Sequence, residues 1–97
     1  MNYDYTVSLN TDDFIEDIGE PEIKRVLTNA MVWLSGFCTN HHIMEQNNLY
    51  DTTIDIIHYF DRLLRSEGED IHNFAEATLI RCDDYSTVVR FRGVIND

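Results

Sequence analysis

The chain has 97 residues, 43% of them hydrophobic, and a formal net charge of −11 at pH 7. We expect one domain over residues 1–97, and the apolar fraction excludes a disordered acidic tail. No apolar run nears the roughly 20 residues that span a bilayer, and the opening residues lack the pattern of a signal peptide. Two cysteines are too few for a disulfide framework, so we expect a soluble cytoplasmic protein.

The first predicted element is a β-strand over residues 3–9, because Tyr3, Tyr5, Val7 and Leu9 alternate with polar residues. A short helix should follow, capped by Asn10 or Thr11, with Asp12 and Asp13 in its first turn. Phe14, Ile15 and Ile18 form its apolar side, Gly19 to Pro21 end it, and Pro21 suits the first position of the next helix.

The second helix has the clearest signal, an apolar stripe at helical spacing from Ile23 to Cys38. Residues 39–47 are polar and read as a loop. A third helix should begin near Asn48, whose side chain can cap it, and end near Gly68. We expect its apolar stripe to consist of Tyr50, Ile54, Ile57, Phe60, Leu63 and Leu64.

Two β-rich runs, residues 74–82 and 87–95, are separated by Asp83-Asp84-Tyr85-Ser86 and predict a hairpin. Val89, Phe91 and Ile95 should share one face of the second run, with Arg90 and Arg92 on the other. The register of the first run stays uncertain. The element order β-α-α-α-β-β predicts an α+β fold, a three-stranded, mostly antiparallel sheet with helices packed on one face.

The negative charge is concentrated in two stretches. Residues 1–23 hold seven acids and no base, residues 24–66 are neutral, and residues 67–85 hold six acids and one base. Folding does not require acidic side chains along the first helix, because like charges four residues apart destabilise a helix. We therefore expect the two stretches to meet on one surface that binds a partner, formed by Asp12, Asp13, Glu16, Asp17, Glu20, Glu22, Glu67, Glu69, Asp70, Asp83 and Asp84.

Other residues that could carry chemistry favour structural roles. Cys38 and the following histidines have metal-ligand chemistry, but no second ligand pair follows and Cys38 falls on an apolar stripe. Asp83 and Asp84 are adjacent in a turn and should point apart. Arg90 and Arg92 should pair with nearby acids or frame an interface, and Trp33 should lie at the rim of the core. We expect no catalytic activity, no metal and no cofactor.

In size, acidity and compact αβ layout the chain resembles the small proteins with which phages counter host defences, the anti-CRISPR and anti-restriction DNA mimics. The resemblance rests on general character and on no motif, so it assigns no residue. It implies an inhibitor in the host bacterial cytoplasm, a monomer or small homo-oligomer. The partner would be a basic protein or nucleoprotein complex, bound at its nucleic-acid site; direct binding of nucleic acid or membrane is not expected.

Three other readings stay open. A bacterial immunity protein that neutralises a basic nuclease toxin would need the same charge. A metal-dependent or other enzyme would have to use the cysteine and histidine residues. A homo-oligomeric structural module would be built on the helix that carries Trp33.

Overall fold

The protein folds around a three-stranded antiparallel sheet. The computed structural model describes residues 2–40, 42–46 and 48–94, and of residues 2, 3 and 94 only the backbone. The strands are β1 (Asn2–Asn10), β2 (Glu76–Cys82) and β3 (Ser86–Val94), in the order β1-β3-β2. The predicted α+β fold, with its strand, three main helices and hairpin, is therefore confirmed. Ile95 lies outside the described residues.

The central strand β3 sets the ends of the sheet. Asn10 at the end of β1 lies opposite Ser86 at the start of β3, and Glu76 at the start of β2 lies opposite Arg92 near the end of β3. The register between β2 and β3 shifts around Ile80. This β-bulge explains why the first run of the hairpin alternates imperfectly in sequence.

Within the described residues, four helices connect these strands: α1 (Thr11–Ile18), α2 (Ile23–Thr39), α3 (Ile43–Gln46) and α4 (Asp51–Ser66), followed by a 3-10 turn (Ile71–Asn73). Asn10 caps α1 as predicted, because its side chain accepts the N–H of Asp13 at 3.2 Å. Gly19 then ends α1 at φ +76°, a left-handed conformation that glycine adopts without steric cost.

Three predicted details of the helices are wrong. Pro21 does not open α2, since it lies in a turn and the helix begins two residues later. Asn48 does not cap α4, whose N-cap is Tyr50 with no capping side-chain hydrogen bond. The segment read as a loop contains the one-turn helix α3. Short elements of this kind leave little periodic signal in a sequence.

The helices and the sheet enclose one hydrophobic core. The predicted stripe of α2 faces it, with Ile23, Leu27, Ala30, Leu34, Phe37 and Cys38 buried and Val26 and Met31 packed at its margin. The stripe of α4 is rotated relative to the prediction, because Thr53 and Ile56 are buried whereas Tyr50 is 87% exposed. Among the described residues, no helix is both long and apolar enough to cross a membrane.

Aromatic contacts link α1 to the sheet through α4. The ring of Phe14 lies 5.7 Å from that of Phe60, which in turn lies 6.0 Å from Phe91 on β3. All three side chains are fully buried. Because the buried ring of Phe14 fixes one side of α1 against the core, the opposite side of this short helix faces solvent.

Candidate protein-binding surface

The solvent side of α1 carries four acids, and Arg62 lines a small pocket together with one of them, Asp17. Asp12, Asp13, Glu16 and Asp17 are all exposed, and no ion pair in the described part of the chain involves any of them. Asp17 accepts a long hydrogen bond, 3.4 Å, from the hydroxyl of Tyr59. Burial, and then the nearby charge of Asp17, raises the pKa of Tyr59, so this hydroxyl stays protonated.

Most arginines pair with acids elsewhere. Among the described residues, five of the six arginines form ion pairs, and each of these partners lies outside α1. On the open face of the sheet, Arg90 binds the carboxylate of Asp4 through two nitrogens, and Arg92 lies 2.5 Å from Glu76. The hydrogen bond from Arg90 lowers the pKa of Asp4. The prediction that Arg90 and Arg92 pair with acids is confirmed.

The hairpin turn lies directly beside α1. The N–H of Thr11, the first residue of α1, donates to the carbonyl of Tyr85 at 3.2 Å, and the hydroxyl of Thr11 lies 2.9 Å from that of Thr87. Asp83 and Asp84 therefore sit next to the acids of α1. We call Asp12, Asp13, Glu16, Asp17 and Asp84 the acidic patch.

Asp83 is not included in the acidic patch, because its carboxylate already accepts hydrogen bonds within the hairpin turn. Its Oδ1 accepts the N–H groups of Ser86 at 2.8 Å and Tyr85 at 2.9 Å. These hydrogen bonds, that of Ser86 first, lower the pKa of Asp83. Arg81 also lies 3.8 Å from it. The two adjacent aspartates thus differ in role, since Asp83 shapes the turn and Asp84 faces solvent.

Glu20 and Glu22 lie just beyond α1 and are less available. Because α1 ends at Ile18, Glu20 does not continue the row of Asp12 and Glu16 as expected. Its carboxylate instead accepts the N–H of Glu22 at 2.9 Å. Glu22 forms an ion pair with Arg25 at 2.5 Å.

The remaining predicted acids lie away from the patch. Asp70 caps the 3-10 turn by accepting the N–H of His72, whose ring lies 3.4 Å from the carbonyl of Cys38 at the C-terminal end of α2. The hairpin acids flank the N-terminal end of the same helix, and its 17 residues span about 25 Å. Asp84 therefore lies beside the start of α1 and Asp70 near the far end of α2, so the second acidic stretch does not share one surface with α1 as a whole. That these acids bind a partner stays a prediction. Glu67 and Glu69 precede Asp70, and their backbone N–H groups donate hydrogen bonds to the carbonyl of Leu64 at the end of α4.

A groove adjoins the acidic patch. It has a volume of about 760 Å³ and lies between α1, the start of α2 and the hairpin turn. Its apolar lining comes from Ile15, Pro21, Ile23 and Cys82. The other lining residues are polar or charged: Thr11, Glu22, Lys24, Arg25, Thr28, Asn29, Asp83 and Asp84.

An exposed aromatic ring stands at the same end of the molecule. The side chain of Tyr85 is 84% exposed, although its N–H is bound by Asp83 and its carbonyl by Thr11. The ring is thus presented to solvent from a fixed backbone. Neither this exposed ring nor the groove was predicted from the sequence. A tyrosine in a turn of otherwise polar residues was the one available signal.

The other candidate residues have structural surroundings. Cys38 is buried, and burial raises the pKa of its thiol to about 12, so it stays neutral at physiological pH. Trp33 packs partly buried against the core, as predicted. Within residues 2–40, 42–46 and 48–94, no three His, Cys, Asp or Glu side chains converge as a metal ion would require. His41 lies outside these ranges.

Comparisons of the chain with protein-family models, with curated proteins and with solved structures find no match.

Proposed function

We propose that the protein inhibits a larger nucleic-acid-binding protein or complex by covering its cationic surface with the acidic patch. The supporting observation is that the four exposed carboxylates of α1 form no ion pair among the described residues, while most arginines of the chain pair elsewhere. Carboxylates can replace phosphates as acceptors for lysine and arginine. The activity would belong in the cytoplasm, where nucleic-acid-handling complexes work.

The size of α1 limits what the patch can imitate. Asp12 and Asp17 are separated by about 7.5 Å along the helix axis. One strand of duplex DNA presents a phosphate about every 3.4 Å. The four carboxylates therefore match about three phosphates of a single strand, and Asp84 extends them toward the hairpin. A short cationic site is a better fit than a long duplex channel.

The proposal is tested by capture from a bacterial lysate at low and raised salt, with DNA or RNA as competitor. We expect a nucleic-acid-binding partner that nucleic acid displaces and salt weakens. The variant Asp12→Asn, Asp13→Asn, Glu16→Gln, Asp17→Asn should lose this partner. Each replacement keeps an oxygen acceptor, so the hydrogen bond that Asp17 accepts from Tyr59 can persist.

The matched control removes the same charge elsewhere, at four exposed acids: Glu45→Gln, Asp51→Asn, Asp55→Asn and Glu67→Gln. It should retain the partner. Equal loss from both variants would show that total charge, and not the acidic patch, governs binding. Capture of a basic nuclease toxin would favour the immunity-protein alternative. Undiminished capture by the α1 variant would refute the role of the patch.

A further inference from the structure

The groove and Tyr85 lie beside the acidic patch, and the groove shares Asp84 with it. Thr11 and Ile15 of α1 form one wall of the groove, and Asp83 and Asp84 form part of another. Tyr85 follows Asp84 directly, with its carbonyl bound to Thr11. An apolar recess, an exposed aromatic ring and unpaired carboxylates therefore adjoin one another.

Charge at the rim of the groove is distributed unevenly. Arg25 is paired with Glu22 at 2.5 Å, and Lys24 is near enough to Asp83 for its charge to help lower the pKa of that carboxyl. Asp84 has no ion pair among the described residues and lines the groove together with Thr11 and Ile15 of α1. A cation entering from the α1 side meets carboxylates, whereas one entering over Lys24 meets a like charge.

We propose that the groove binds an aliphatic or aromatic side chain of the basic partner, on a segment where that residue is flanked by arginine. The apolar side chain lies against Ile15, Pro21 and Cys82. A flanking arginine stacks on the ring of Tyr85 and reaches Asp84. This inference rests on the proposed function and specifies the partner segment, because a nucleic-acid mimic needs only the carboxylates.

Three physical considerations support this occupant. The volume of the groove falls in the range typical of ligand sites, about 300–1,000 Å³. Tyrosine is enriched among residues that dominate binding energy at interfaces, and an arginine over its ring gains a cation–π contact. The surrounding carboxylates favour a cationic segment over an anionic or neutral one.

The test uses two synthetic peptides of equal length and arginine content, one with leucine and one with glycine between the arginines. Their affinities for the unmodified protein are measured by fluorescence anisotropy at low and raised salt. The leucine peptide should bind about tenfold more tightly, since burying its side chain removes apolar surface from water. That ratio should persist at raised salt while both affinities fall. Equal affinities would overturn the inference.

Two pairs of variants locate the contacts. Thr28→Trp fills the groove from the exposed side of α2 and should abolish the preference for leucine. Val32→Trp changes the same helix at a side chain that is 74% exposed and does not line the groove, and should preserve it. Tyr85→Ala should weaken both peptides about two- to fivefold. Tyr50→Ala, at an equally exposed ring on the N-cap of α4, should not.

The outcomes separate this inference from the proposed function. If neutralising the α1 acids leaves both peptides bound as before, the proposed function fails. If it weakens both, but the unmodified protein does not distinguish them, only the groove assignment fails. A leucine preference that survives Thr28→Trp would also overturn the assignment. Sedimentation provides a further check. If the unmodified protein is a dimer that Thr28→Trp dissociates, the assignment is also overturned, because a second copy would then occupy the groove.

Discussion

Replacing Glu16 and Asp17 together, as Glu16→Gln, Asp17→Asn, should make the protein more stable. Each residue lies four positions after another acid of α1, Asp12 or Asp13, and such like-charge pairs each cost about 0.2–0.5 kcal/mol. Both also lie in the last turn of α1, next to the negative end of the helix dipole. Relieving both effects should raise the free energy of unfolding by about 1 kcal/mol. For a chain of this length that corresponds to a Tm increase of about 4–8 °C.

The matched control is Asp12→Asn, Asp13→Asn, which breaks the same two pairs and removes the same charge. These acids lie in the first turn, where each interacts favourably with the dipole by about 0.3–1 kcal/mol. Losing these dipole interactions then cancels or exceeds the stability gained from reduced repulsion. The control should be no more stable than the unmodified protein, so the comparison isolates the position of the charge from its amount.

Both variants are measured by thermal and urea unfolding at low ionic strength and again in about 1 M salt, where the Debye length falls to about 3 Å. The difference between them should shrink in salt. If Glu16→Gln, Asp17→Asn gains nothing at low salt, the acids are not unfavourable to the fold. The premise that they are present for binding would then fail.

Three further outcomes are expected. The free energy of unfolding should fall by about 1.4 kcal/mol per pH unit between about pH 9 and 12, because the Cys38 thiol ionises in the unfolded chain but has a pKa of about 12 when folded. Urea unfolding of Cys38→Ala should lack this pH-dependent loss. Because the folded pKa of Asp83 is lowered, its charged form contributes stability that is complete above the unfolded pKa near 3.9 and lost as the pH falls through the folded pKa. Asp83→Asn should therefore show a shallower acid limb in urea unfolding between pH 2 and about 5. Phe14→Ala should cost about 3–5 kcal/mol by calorimetry, since the ring is fully buried against Phe60.

The long, periodic elements could be predicted from the sequence, and the reason is visible in α2. Over its 17 residues one face remains apolar, so the burial pattern follows directly from helical spacing. The same reasoning misplaced the face of α4, because Tyr50 is apolar enough to join the stripe yet lies at the N-cap and faces solvent. Thr53, a polar residue, is buried in its place.

Only part of the candidate site could be predicted from the sequence. That α1 is acidic follows from its residues, but the proximity of Asp84 depends on β3 lying between the other two strands. Once Asn10 is opposite Ser86, the turn from β2 to β3 must lie beside the start of α1. The segment before β2, including Asp70, must then lie at the other end of the sheet. Strand order was the missing fact, and no local pattern encodes it.

The distribution of ion-paired arginines determines where negative charge remains unpaired on the described part of the surface. On the open face of the sheet, opposite charges neutralise one another, because Arg90 and Arg92 form ion pairs with Asp4 and Glu76 on the neighbouring strands. At α1 the opposite holds, since its carboxylates form no ion pair among the described residues and the helix dipole favours only those in the first turn. Such pairing on one face and exposure on another concentrates the attraction for a cationic surface at α1 and the hairpin turn. A partner steered by charge would therefore dock first on the end of the molecule that also carries the groove and Tyr85.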